Sequence, residues 1–445
     1  MSITLGREGF VLKKGHPFPS SFVQKEIKDK LIVIPKSDGY APVKSFKLYQ
    51  EDRAGNLIIP RYFGVDKISV PDKEIFTYNP EIDFNFSGKL RTNQIEPCKA
   101  VLKALNEIGG GILACRTAHG KTFMTLYCIY KMKCRAIIIV NRVELVAQWT
   151  EEAKRFMPGI NVGRIQGECF DITGKDIVIA MLNSVLMKRF KSNVFDCFDL
   201  LVVDECHTVA GEIFHLCLPK IRTPWTLGLS ATPERADGTM HVISYFLGPI
   251  CYKSENKINS KKQVLLDWIE VETGIEKYET ELVLDWNSKP NIAGMLNNMV
   301  LNPERCKMIV EKLRELLKEP QRKILVLSDR KALLRKIQVE LPDDSALYTG
   351  DMKREDLNKA KTAQVLLGTY SICSTGFNLP ELNCLVMATP RKNIEQSVGR
   401  ILRKEHEINP VVVDFVDKFS IFKFMARSRR RFYEANKFGY FKPKV

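Results

Sequence analysis

The chain has 445 residues, 45% of them apolar and 27% charged, with a formal net charge of +16. No stretch approaches the roughly 20 apolar residues that span a bilayer, Met1 to Phe10 lack the basic-then-apolar order of a signal peptide, and the length allows about three domains. The twelve cysteines lie between Cys98 and Cys384 without one CxxC pair, which excludes a zinc ribbon and a disulfide framework and predicts reduced thiols in an intracellular, cytoplasmic protein.

Residues 1–87 read as a small α+β accessory domain. Short β-like runs (Leu31–Pro35, Val43–Tyr49, Leu57–Pro60) alternate with turn signals such as Ser37-Asp38-Gly39. Thirteen basic and eleven acidic residues nearly cancel there, so a structural role is as open as direct nucleic-acid binding. From Gly88 a helical segment carries Gln94, with Ile95, Ala100, Val101 and Leu105 at helical spacing.

The run Ile112-Leu113-Ala114-Cys115-Arg116-Thr117-Ala118-His119-Gly120-Lys121-Thr122 follows, and a helix-like segment from Phe123 to Lys133 succeeds it. An apolar strand handing a Gly-Lys-Thr turn to a helix N-terminus predicts an anion site, because the first helical N–H groups are unpaired and the dipole is positive there. Lys121 would neutralise phosphates and the Thr122 hydroxyl would hold Mg²⁺. Cys115 stands where the phosphate-loop pattern has its first glycine.

A second apolar strand, Ala136–Val140, runs into Asn141, which is expected to cap the next helix. Ile177–Ala180 leads to Asn183, Leu200–Val203 to Asp204-Glu205-Cys206-His207, and Leu227–Leu229 to Ser230-Ala231-Thr232. Apolar strands alternating with helices, each ending in polar residues, predict a doubly wound parallel sheet over about 88–250 with its sites on one edge. Asp204 and Glu205 suit a metal-bound triphosphate, one on the cation and one on the attacking water.

The stretch 251–300 has no clear period and reads as a connection. Alternation then resumes, with Lys323–Leu327 before Arg330, Val365–Leu367 before Thr369, Cys384–Ala388 before Thr389-Pro390, a helix over Gln396 to Arg403, and Val411–Phe415. Residues 251–445 are thus expected to form a second α/β domain. Arg400 and Arg403, three apart, share a helical face and could bring charge to a γ-phosphate. From Lys418 to Val445 nine Lys/Arg stand against one acid among many aromatics, a composition that suits nucleic acid or a solvated basic helix.

The ordered set Cys115–Thr122, Asp204-Glu205-Cys206-His207, Ser230-Ala231-Thr232 and Gln396-x-x-Gly399-Arg400-x-x-Arg403 resembles the motifs of superfamily 2 helicases over roughly residues 88–405. The loop form, the segment Ile59-Pro60-Arg61-Tyr62-Phe63-Gly64 and the element Tyr348-Thr349-Gly350 look most like the phage UvsW-type helicases, which remodel branched DNA. The resemblance implies two tandem RecA-like domains and an ATP- and Mg²⁺-dependent DNA helicase. Its partner would be forked or branched DNA, and it is taken to work as a monomer. An RNA helicase, a duplex translocase and a non-catalytic binding protein remain open.

By the same resemblance, Thr117, Ala118, His119, Gly120, Lys121 and Thr122 would cradle phosphates, with Gln94 at adenine and Gly376 facing the nucleotide. Thr122 and Asp204 would hold the metal, and Glu205 would activate water. His207, Ser230 and Thr232 would couple the nucleotide to the nucleic-acid track, and Gln396, Arg400 and Arg403 would complete the nucleotide site. Arg142, Gln148, Asn183, Arg330 and Thr369 would line the nucleic-acid strand. Asn93 replaces the usual aromatic beside the glutamine, and Asn378 stands where an aspartate is common.

Overall fold

The computed structural model describes the chain except residues 1–2, 7–8, 14–20, 36–44, 117–118, 192, 209–212, 214–215, 232–237, 255–261, 280–282, 285–287, 289, 372–378 and 442–445. It divides into two compact units, Met1–Ser254 and Glu255–Val445. Among the described residues no helix is long and apolar enough to cross a membrane.

The first unit is built on an eight-stranded sheet in the order Cys169–Asp171, Val162–Gln166, Ile177–Met181, Ala136–Val140, Leu200–Val203, Trp225–Ser230, Gly110–Ala114, Ile250–Lys253. Every pairing is parallel except the hairpin of the first two strands. Continuous apolar runs form these strands because both faces are covered. Ala136, Ile138 and Val140 point into one buried cluster, Ile137 and Ile139 into the other. Parallel pairing brings the C-terminal ends of the strands to one edge, so the polar residues after Ala114, Val140, Met181, Val203 and Ser230 share it.

The N-terminal residues form a five-stranded sheet, ordered Gln50–Glu51, Leu57–Ile59, Gly9–Leu12, Thr4–Gly6, Lys73–Ile75. They are part of the first compact unit, and the Arg61-Tyr62-Phe63-Gly64 segment shows how. The Tyr62 hydroxyl shares a buried 2.8 Å hydrogen bond with Thr226 Oγ1, Arg61 donates to the Pro224 carbonyl, and Phe63 packs edge-on against Tyr245. Gly64 rests on the Phe10 ring, where a Cβ would fall 2.2 Å from Cγ. An extended strap then crosses the unit: Asn79 binds Asp199, Lys133 pairs with Asp83 at 2.9 Å, and Phe86 packs among Phe123, Tyr127, Tyr130 and Phe156.

The second unit carries a seven-stranded, all-parallel sheet in the order Ser345–Tyr348, Val365–Thr369, Ile324–Ser328, Cys384–Met387, Val411–Val416, Leu265–Glu270, Gly439–Tyr440. Two apolar clusters again cover its faces. The protein is therefore an α/β chain with two doubly wound parallel sheets. The featureless stretch after residue 250 resolves into an edge strand of the first sheet, Ile250–Lys253, and an inner strand of the second, Leu265–Glu270.

The basic tail folds as the helix Ser420–Ala435, which buries Phe422, Ala426, Arg429 and Tyr433. Arg429 makes a two-pronged pair with Asp414 at 2.7 and 2.9 Å. Part of the tail's charge is thus structural, while Lys423, Arg427, Arg430 and Arg431 face solvent.

Candidate active site

The helix Lys121–Met132 begins at Gly120, which has φ +83°. That left-handed backbone favours glycine, and a Cβ there would also meet Gln94 Nε2 at 2.4 Å. Gln94 is buried and uses both ends of its amide. Its Oε1 accepts from Arg91 N at 3.0 Å and its Nε2 donates to the His119 carbonyl at 2.9 Å. His119 Nε2 lies 3.0 Å from the Asn93 carbonyl, and burial pulls the imidazole pKa below its usual value. Helix start and loop are in this way fixed to each other.

Lys121 Nζ donates to the Cys115 carbonyl at 3.0 Å and lies 3.9 Å from Glu205 Oε1. Cys115 itself is fully buried with Cys98, Cys128 and Met124, and burial pushes its thiol up to about 12. The residue that replaces the pattern's first glycine turns into the core and leaves its carbonyl on Lys121.

Asp204 and Glu205 end the strand Leu200–Val203. Asp204 Oδ2 accepts from the indole of fully buried Trp149 at 2.9 Å, and Oδ1 from Glu205 N at 2.9 Å. Burial, then the neighbouring Glu205 charge, pushes the Asp204 carboxyl up to about 6 against the pull of Lys121. Glu205 has φ +46°, a strained conformation for a side chain of this kind. Its Oε2 is buried without a hydrogen-bond partner among the described residues, 3.5 Å from His207 Nδ1.

An orphaned carboxylate oxygen beside a second, destabilised carboxylate fits a divalent cation, which favours hard oxygen ligands and relieves such repulsion. Among the described residues no cluster of three or more His, Cys, Asp or Glu could hold a metal alone. Mg²⁺ bound with a nucleotide needs none, because phosphate oxygens and water complete its octahedron.

His207 Nδ1 is 3.0 Å from Ser230 Oγ, so these two expected coupling residues meet. Thr117, Ala118, Thr232 and Gly376 lie outside the described residues. Thr122 is half-buried in the first helical turn, Gln148 is half-buried and Asn183 is exposed. The expectation for Asn141 is corrected: Arg142 occupies the cap position of the helix Val143–Phe156. Asn141 Nδ2 donates instead to Thr208 Oγ1 at 2.6 Å, and that hydroxyl donates to the Glu205 carbonyl at 2.8 Å. The tertiary bond wins because it reaches a chain segment 67 residues away that sequence spacing does not reveal.

In the second unit half-buried Arg330 makes three hydrogen bonds. Its guanidinium binds Asn297 Oδ1 at 2.5 Å and the carbonyls of Asp329 and Ala293 at 3.1 and 2.9 Å. Thr369 Oγ1 sits 3.2 Å from Ser371 Oγ. Gln396 falls in a short α turn, Glu395–Val398, and Arg400 in the 3₁₀ turn Gly399–Leu402 that replaces the expected continuous helix. Buried Arg400 lies within this turn and half-buried Arg403 follows it as the C-terminal cap. Sequence reasoning missed Trp149, whose one signal was an indole N–H that needs a partner when buried, and Arg391, which pairs with Asp329 at 3.0 Å.

A family model described as "Type III restriction enzyme, res subunit" matches residues 87–235. A protein of Acanthamoeba polyphaga mimivirus, provisionally named an ATP-dependent RNA helicase, is 31% identical over 431 residues, 93% of this chain and 82% of that protein. A provisionally named helicase of Invertebrate iridescent virus 6 is 27% identical over 377 residues, 79% of this chain and 81% of its own. The crystal structure of T4 UvsW aligns over 96% of both chains at 17% identity, with a TM-score of 0.40. Two doubly wound parallel sheets in one chain, the first with a Gly-Lys-Thr loop and an Asp-Glu strand end, are the build of the tandem RecA-like class. Within that class the chain belongs to the superfamily 2 helicases, enzymes that hydrolyse ATP and act on nucleic acid.

Proposed function

We propose that the protein is an ATP-driven DNA helicase that unwinds or branch-migrates forked and junction DNA during replication, recombination or repair, working as a monomer. The observation that carries the motor reading is the meeting of Lys121, Asp204 and Glu205 on one sheet edge, with Glu205 Oε2 buried without a hydrogen-bond partner among the described residues.

In this reading the β- and γ-phosphates bind at the start of the helix Lys121–Met132, and Lys121 turns from the Cys115 carbonyl to pair with them. Thr122 and Asp204 would hold Mg²⁺, whose charge would offset that of the phosphates. Glu205 orients the attacking water and takes its proton. Gln94 fixes the loop beside adenine through His119, and Gly376 faces the nucleotide. Gln396, Arg400 and Arg403 of the second unit oppose the γ-phosphate charge. His207, Ser230 and Thr232 pass the nucleotide state to a strand gripped by Arg142, Gln148, Asn183 and Thr369. Arg330, held by three bonds at the end of its own β-strand, would grip the same nucleic-acid strand with its remaining N–H groups.

The mimivirus relative's name favours a second reading, on RNA. Stimulation of ATP hydrolysis by single-stranded RNA, single-stranded DNA, plain duplex, and forked and four-way DNA separates the two. The DNA reading expects forked and four-way DNA to stimulate most, and equal stimulation by plain RNA overturns it.

A further inference from the structure

The helix Leu182–Met187 starts directly at the C-terminal end of the strand Ile177–Met181, on the edge that carries Asp204 and Ser230. Asn183 is exposed on it. Four residues on, and so on the same helical face about 6 Å along the axis, Met187 leaves its side chain in water with 85% exposure, the largest among the exposed apolar residues described.

This position is held firmly. Lys220 Nζ donates to the carbonyls of Val185, Leu186 and Lys188 at 3.0, 2.6 and 3.0 Å, capping the helix end with a cation where the dipole is negative. On the far side of the loop Phe190 stacks on Phe170 at 5.6 Å and meets buried Phe195 edge-on at 4.9 Å. Between these anchors stand Lys188, Arg189 and Lys191, and no acid occurs from Leu182 to Phe195. A solvent-facing apolar side chain on an anchored turn, beside cations with no acid near them in the sequence, complements a nucleic acid where phosphates end and a base face is open. Apolar wedges, methionine among them, enter such steps and unstack them.

We propose that Met187 is a strand-separating wedge, with Arg189 and Lys191 holding the phosphates of the strand that passes Asn183. The proposal rests on the helicase reading above and adds the element that divides the duplex. Its occupant is the junction of a forked nucleic acid; forks of DNA and of RNA are separate arms of the test.

The full-length Met187→Ala, Met187→Asp and Met187→Leu variants are compared with the unaltered protein in three assays: nucleic-acid-stimulated ATP hydrolysis, displacement of streptavidin from a biotinylated single strand, and unwinding of a fork. Met187→Ala and Met187→Asp are expected to slow unwinding about tenfold, the rate equivalent of part of one unstacking step. Hydrolysis and streptavidin displacement stay within about twofold, and Met187→Leu restores unwinding. Arg189→Ala with Lys191→Ala weakens fork binding and reduces its salt dependence, as lost phosphate contacts do. Unchanged unwinding in both Met187→Ala and Met187→Asp overturns the wedge, as does a parallel fall of unwinding and streptavidin displacement. Failure of every nucleic acid to stimulate hydrolysis by the unaltered protein overturns the helicase reading instead.

Discussion

Asp204 and Asp414 are both buried aspartates of a doubly wound parallel sheet, Asp204 just past the strand Leu200–Val203 and Asp414 within the strand Val411–Val416. Their surroundings differ in kind. Asp414 receives a two-pronged pair from Arg429 and a 2.9 Å hydrogen bond from the Tyr433 hydroxyl, and three residues on Asp417 is gripped by Arg305 at 2.5 and 3.1 Å. Asp204 has one indole, one backbone N–H and a like-charged neighbour. The first aspartate of the pair therefore stores electrostatic stress that a cation could relieve, and the second spends its charge on holding a helix to the sheet. A carboxylate at the end of a buried strand becomes a candidate for chemistry only when its neighbours leave it unneutralised.

The comparison can be broken in order of expected effect. Glu205→Gln keeps the shape of the stressed site and removes the base, so the rate of phosphate release should fall by about 10²–10⁴ while the melting temperature holds or rises. A variant that hydrolyses normally removes Glu205 from the chemistry. In the second unit, Arg429→Ala strands a buried carboxylate and should cost about 3–5 kcal/mol, read as an early transition in urea. Loss of under about 1 kcal/mol would mean that water replaces the guanidinium.

Asp204→Asn should separate function from stability. Burial and then the Glu205 charge push the native carboxyl up to about 6, above its ordinary 3.8, so the folded protein binds this proton more tightly than the unfolded chain. The ionisation penalty is absent below about pH 4, grows between the two values and is complete above about pH 6. The variant should accordingly melt higher than the unaltered protein at pH 7.5, converge with it near pH 4, and hydrolyse no ATP. In the unaltered protein kcat/KM should fall as pH drops through about 6. A lower melting temperature for Asp204→Asn at pH 7.5 would show that the site is not under stress. The smallest effect is expected for Cys115→Gly, which restores the pattern's glycine but empties core volume and loosens the backbone. It should lower stability by about 1–2 kcal/mol without raising kcat.

The strands and the edge they share were legible because uninterrupted apolar runs such as Ala136–Val140 and Leu200–Val203 admit burial on both faces only in a parallel sheet. Gly120 and Lys121 were legible for a local reason, since turn chemistry and helix start are encoded within a few residues. What escaped depends on contacts across the chain. Asn141 reads as a cap until Thr208 arrives beside it. Trp149 sits in phase with Leu145, Val146 and Ala153 as an ordinary core residue, and only the folded sheet shows its indole on Asp204. The composition of the basic, aromatic tail left nucleic-acid binding and a solvated basic helix both open, and only the folded unit shows Arg429 in an internal ion pair. The strand Ile250–Lys253 carries no periodic signal because two of its four residues are half-buried and two exposed at the sheet's edge.

The central claim is that the stressed edge of the first unit hydrolyses ATP in response to nucleic acid. Phosphate release by the full-length protein, with and without forked DNA, and by Lys121→Ala under the same conditions, tests it most directly. The account predicts hydrolysis that rises at least about tenfold with the fork and is abolished in the variant. Release that is indifferent to nucleic acid, or that survives the loss of Lys121, would contradict it.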